Sequence, residues 1–278
     1  MTRHNDEPVY EDFLDHHAHA RRVGHHVLNC QPPYVVGICG SWGAGKTSFL
    51  RKLWAYLGGG FPLPDEVTRT LTEKEKKSEK KIEELIESTL KSWFNEPRFD
   101  FKQQCKDRNG NDRQLELVWF NPWQHQFESS PMVALLHEIR DHLTTSSKFL
   151  NSASKVTKIG ARALFDTVVK FGSEIGGLAG APKYKAEAQL PTASSIIEMK
   201  RGYDEADFSA RSASQRFRDY FESAIESVAG KDGLLVIFID DLDRCEGDVA
   251  YRLLEALKLH LNTKNCIYVL GLDQQHLE

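Results

Sequence analysis

Three glycines, a lysine and a threonine occur together in Gly40-Ser41-Trp42-Gly43-Ala44-Gly45-Lys46-Thr47, spaced as in a loop that cradles phosphate groups. Glycines let the backbone turn so that successive N–H groups face an anion. A helix that starts at the lysine adds its partial positive charge. Lys46 is then the cation for the β- and γ-phosphates, and the Thr47 hydroxyl is a ligand for magnesium. The nucleotide-binding set predicted on this basis is Gly40, Ser41, Trp42, Gly43, Ala44, Gly45, Lys46, Thr47 and Ser48. The flanking sequence argues against an ordinary glycine turn beside a surface lysine. Tyr34-Val35-Val36-Gly37-Ile38-Cys39 reads as a buried parallel strand. Ser48 to Leu57 has helical spacing and stops at Gly58-Gly59-Gly60.

A second chemical element follows much later in the chain. Leu234-Leu235-Val236-Ile237-Phe238-Ile239 is a continuous apolar run that ends in Asp240-Asp241. Such a run suits a central strand covered on both faces, and carboxylates at its C-terminal end fall where open α/β sheets hold ligands. Asp240 is the expected partner of Thr47 at the magnesium. Asp241 is placed to orient or deprotonate an attacking water. The alternative is that the two acids merely cap the helix that follows.

Together with Val118-Trp119-Phe120-Asn121-Pro122-Trp123 and Asp240-Asp241-Leu242-Asp243-Arg244-Cys245, the glycine loop resembles the KAP family of P-loop NTPases, relatives of the AAA+ and STAND ATPases. The resemblance covers most of residues 13–50, 116–145 and 214–273. It implies a three-layer α/β/α sandwich with a parallel sheet in strand order 1-4-3-2. Asp273, after the fourth strand, would stand where relatives keep a polar sensor of the γ-phosphate. A fifth strand and a helical lid are expected to be missing, so the chain reads as one domain, residues 1–278, truncated at its C-terminus. Bacterial members are often linked to phage exclusion and other defence systems, and the resemblance implies such a setting here.

Composition sets the remaining bounds. A chain of 278 residues with 40% hydrophobic content can build one large α/β core. The net charge of −4 offers no basic field for nucleic acid. Five cysteines form no C-x-x-C pair, and Cys39 and Cys266 in predicted strands read as small buried hydrophobes of a reducing compartment. The N-terminus lacks a signal-peptide core, so a cytoplasmic protein without a transmembrane segment is expected. Residues 160–181 are the best membrane candidate. There Arg162, Asp166, Lys170 and Glu174 recur every fourth position opposite Leu164, Val168, Phe171, Ile175 and Leu178. That makes an amphipathic helix, whose stripe is expected to pack on the domain.

Two mainly helical insertions are predicted, at about 61–111 and 144–203. In the first, the densely charged stretch from Thr72 to Leu90 reads as a protruding solvated helix. A helix over 8–29 carries several histidines at i,i+3 and i,i+4 spacing, read as solvated in the absence of a metal-binding frame. Other predicted elements are strands at 115–120 and 266–271 and helices at 131–143, 217–228 and 249–261. Arg244 is left between two roles, serving a neighbouring subunit or pairing with Asp243. No N-K-x-D sequence is present to read guanine; Asn262-Thr263-Lys264-Asn265 lacks the final acid. The chain is therefore expected to use ATP and Mg²⁺ and to hydrolyse ATP as a conformational or oligomeric switch, with Lys46, Asp241 and Asp273 as the catalytic set. Self-association or partner proteins are expected. A nucleotide-gated scaffold with little hydrolysis and a small-molecule kinase remain open beside that reading.

Overall fold

The computed structural model describes residues 16–61, 79–94, 114–128, 130–145, 155–178, 213–259 and 261–273. The start of the predicted 8–29 helix and parts of both predicted insertions lie outside the described residues. Along the chain come α1 (His16–Asn29), β1 (Tyr34–Cys39), α2 (Lys46–Tyr56), α3 (Glu79–Phe94) and β2 (Leu115–Phe120). They are followed by α4 (Pro131–Thr145), α5 (Lys155–Leu178), α6 (Ala213–Ala229), β3 (Leu234–Ile239), α7 (Gly247–Leu259) and β4 (Cys266–Leu272). Short 3₁₀ turns, Pro122–His125 and Leu242–Arg244, follow β2 and β3.

All strand pairs are parallel, in the order β1-β4-β3-β2. Period-two alternation divides the side chains of the sheet between two cores. Leu235, Ile237 and Ile239 of β3 face a core with α4, α5, α6 and α7. Leu234, Val236 and Phe238 face a second core with α1, α2 and α3. Every residue of β3 is buried, which is why its sequence runs apolar without interruption. This is the three-layer α/β/α arrangement of a P-loop fold, in the expected strand order.

Burial departs from expectation at three places. β1 is an edge strand, paired through β4 alone among the described strands. Its Val35-Gly37-Cys39 face is left uncovered, with Val35 53% exposed, and Cys39 is exposed rather than buried. The α4–α7 layer covers β4, β3 and β2 but not that face. In the first insertion, α3 does not protrude free of the domain. Thr89, Leu90 and Phe94 are buried, and the helix end joins the core of α1 and α2. Its apolar positions at helical spacing, Ile86, Leu90 and Phe94, form a docking stripe within a densely charged sequence. Finally, α1 is not evenly solvated. His17 is buried and stacks on Trp93 at 5.2 Å between ring centres.

α5 packs against α4 and α6 through Ala161, Phe165 and Val168, with Leu164 beside them; Leu164 and Val168 of the predicted stripe thus face the domain. Arg140 of α4 meets Asp166 of α5 at 3.5 Å. No described helix is long and apolar enough to cross a membrane.

Candidate functional site

Parallel pairing brings the C-terminal ends of all four strands to one edge of the sheet. In register, Cys39 lies beside Leu272, Ile239 beside Leu270, and Phe120 beside Ile239. The next residues are Gly40, Asp273, Asp240 and Asn121, so four segments far apart in sequence meet at one rim.

The glycine loop is built as its sequence requires. Gly40 N–H donates to Leu272 O at 3.2 Å, and Ala44 N–H to Ser41 O at 3.1 Å. Gly43 and Gly45 adopt φ of 79° and 83°, the left-handed region where a Cβ would be strained. Gly45 precedes the first turn of α2, which holds Lys46, Thr47 and Ser48. Trp42 points outward and is 70% exposed, while its backbone N–H donates to Asp273 Oδ2 at 3.1 Å. Asp273, itself buried, thus braces the loop from below. α1 crosses beside the loop exit: a Cβ on Gly45 would stand 3.3 Å from His16 Cε1.

Asp240 is 3% exposed. Its N–H donates to Phe120 O at 3.0 Å, and its Oδ1 accepts from Thr47 Oγ1 at 3.1 Å. Burial, with the Asp241 carboxylate second, pushes its acid up to about 6; the Thr47 hydrogen bond and the Arg51 guanidinium pull the other way. A buried, electrostatically uncomfortable carboxylate touching a hydroxyl is a hard-oxygen pair that a small divalent cation would satisfy. The residues present therefore fit Mg²⁺. Arg51, one helical turn beyond Thr47, lies over the Trp119 ring at 3.7 Å.

Asp241 takes φ 58°, a left-handed conformation that Asp tolerates better than most residues. Two donors orient its carboxylate: Asn121 Nδ2 at 2.7 Å and Arg244 Nε at 2.7 Å. Asn121 is fixed in turn, since its Oδ1 accepts from Trp123 N–H at 3.1 Å and caps the first 3₁₀ turn. Arg244 thus pairs with Asp241 rather than with Asp243. Asp243 binds Lys46 instead, at 2.9 Å. A polar cleft of about 450 Å³ opens beside Thr47, Asp240 and Asp241 and is walled further by Gln124, His125 and Glu138.

A family model described as the KAP family P-loop domain matches residues 19–278. The chain belongs to the KAP family. As a KAP P-loop domain it is a nucleotide-binding module of the NTPase class. No curated protein matches the chain. Among the described residues no cluster of His, Cys, Asp and Glu forms a separate metal centre, the α1 histidines included.

Lys46, Thr47, Asp240, Asp241 and Asp273, predicted from sequence, all stand at this KAP rim. Asn121 and Arg51 carry no role in the sequence reading, and Asp243 enters it only as a partner for Arg244. Asn121 lay inside the Trp-Phe-Asn-Pro-Trp motif, whose position after a predicted strand was the available signal. Asp243 likewise lies inside the Asp-Asp-Leu-Asp-Arg-Cys motif, whereas Arg51 has no such mark, because its ring partner Trp119 comes from another element.

Proposed function

We propose that this domain binds ATP with Mg²⁺ and hydrolyses it, and that occupancy of the loop sets a conformational or oligomeric switch. The observation that carries the reading is the 3.1 Å contact between Thr47 Oγ1 and Asp240 Oδ1, one residue from Lys46. The loop N–H groups and the N-terminus of α2 would bind the phosphates. Lys46 would turn to the β- and γ-phosphates, and Thr47 and Asp240 would hold the metal. When bound, Mg²⁺ neutralises charge on the phosphoryl oxygens. Asp241 would accept a proton from a water aimed at the γ-phosphate, with Asn121 and Arg244 fixing its direction. Asp273 would sense the γ-phosphate, and its carboxylate, which accepts from the Trp42 N–H, ties that sensor to the loop. The lack of an N-K-x-D sequence favours ATP over GTP. Self-association and an antiviral-defence setting belong to the same proposal and rest on family resemblance, and a cytoplasmic location rests on the composition and cysteine pattern.

A second reading has one observation in its favour. The polar cleft beside Asp241 has room for a small acceptor, so phosphoryl transfer to a hydroxyl compound is the competitor. Nucleotide binding and phosphate release, measured with and without candidate acceptors, decide between them. Lys46→Ala is expected to abolish binding. Asp241→Asn is expected to keep binding and lose hydrolysis by about 10²–10⁴. Equal turnover in Asp241→Asn and wild type removes Asp241 from the mechanism, and binding retained in Lys46→Ala removes the loop.

A further inference from the structure

Lys46 is already occupied. Its ammonium donates to Gly40 O at 2.9 Å and to Ser41 O at 3.2 Å, and it meets Asp243 Oδ2 at 2.9 Å. A lysine ammonium has three N–H donors, and three oxygens take them here. The side chains are only 11% and 6% exposed, Lys46 and Asp243 respectively, so the charges hold each other with little help from water. A phosphate oxygen therefore has to displace one of these partners.

The carboxylate is the partner whose loss changes the rest of the site. Asp243 lies in the 3₁₀ turn Leu242–Arg244, between two residues that already bind each other, Asp241 and Arg244. Asp241 enters that turn at φ 58°, and the turn runs on to α7 at Gly247. One short turn thus carries both the acid that pairs with the loop lysine and the acid that faces the cleft.

We propose that Asp243 is a latch on Lys46. Its carboxylate takes the third N–H of the ammonium, and polyphosphate binding must break the pair. Release of Asp243 then reports occupancy to the turn that positions Asp241 and to the start of α7. This rests on the reading of the loop as a triphosphate site, and it adds that Asp243 opposes binding. Any phosphate that meets the ammonium loses affinity by the strength of the pair and by repulsion from the carboxylate left behind. Asp243 is thus a positioning residue that sets affinity.

The test is Asp243→Asn, which keeps the shape and removes the charge. Equilibrium binding of ATP with Mg²⁺ is measured alongside thermal melting without nucleotide. The latch predicts two opposite changes: Kd falls about tenfold or more, while the nucleotide-free melting temperature drops because Lys46 loses its counter-charge. An unchanged Kd with turnover lost would make Asp243 part of the chemistry, and weaker binding with lower stability would make it a plain structural residue; either overturns the latch. The double variant Lys46→Met/Asp243→Asn covers the case in which the single variant does not fold. Recovery of folding and of melting temperature in the double variant supports the pair, and failure of both variants to fold overturns it. Wild type that binds ATP while Asp243→Asn binds no tighter sinks the latch alone. Absence of ATP binding in both sinks the triphosphate reading as well.

Discussion

Asp240 carries the clearest electrostatic cost at the residue scale. Its acid stands at about 6 in the folded domain, against 3.8 for an unperturbed group. Well below pH 3.8 both states are protonated and the group contributes nothing. Between about pH 4 and 6 the unfolded chain gives up a proton that the folded chain keeps, so stability falls as pH rises. Above pH 6 the full penalty applies, about 3 kcal/mol for two pKa units. Asp240→Asn keeps an acceptor for Thr47 and removes the ionisation. Metal-free thermal melts should show this variant more stable than wild type at pH 7.5, with most of the gap closed at pH 4. A variant no more stable at pH 7.5 would mean that Asp240 is not strained by burial. Asn121 makes a complementary prediction. Asn121→Ala removes one of the two donors on Asp241 and the cap of the first 3₁₀ turn, which costs about 1 kcal/mol. Turnover should fall about tenfold or more while the nucleotide Kd stays within a few-fold; a Kd that rises in step with the loss would place Asn121 in binding instead.

Elements matter here mainly through how α1, α2 and α3 brace the loop. Gly24 of α1 has the Tyr56 ring of α2 lying directly on it, closer than a Cβ permits. Tyr56 is fully buried and packs edge-on to Phe94 of α3 at 4.8 Å. One ring therefore locks three helices together. Gly24→Ala would push α1 away from α2, and overpacking of this kind costs about 1–3 kcal/mol, more than the gain in helix propensity of about 1 kcal/mol. Denaturant melts should give a net loss of stability. Because α1 also lies beside Gly45, nucleotide affinity should weaken in the same variant. A stability gain would show that the helices separate freely there.

For the whole molecule, two cores share one sheet, and β3 and β4 belong to both. No core can be lost without exposing a central strand, so the sheet should unfold as a unit. Cys266 reports this event. It is fully buried in β4, and burial pushes its thiol up to about 12. Cys39, at the exposed end of edge strand β1, offers the contrast. Alkylation at pH 8 followed by peptide mapping should modify Cys39 quickly and Cys266 only at the rate of global unfolding. Comparable rates at both thiols would show that β4 opens locally.

The sequence by itself determined the elements and the chemistry that is local to them. The phosphate loop was legible because Gly43 and Gly45 meet a backbone requirement, and the Asp240 strand because a doubly covered strand must be apolar throughout. Both constraints act over a few residues and leave a pattern in the chain. Tertiary structure decided the rest. Neither the exposure of Cys39 nor the docking of α3 could be read locally, since burial depends on which helices cover which strand. The Asn121–Asp241 and Lys46–Asp243 contacts were decided only when parallel pairing brought β1, β2 and β3 to a common edge. Hydrogen-bond partners of a charged side chain are set by distance in space, and Asn121 and Asp241 are 120 positions apart in the chain.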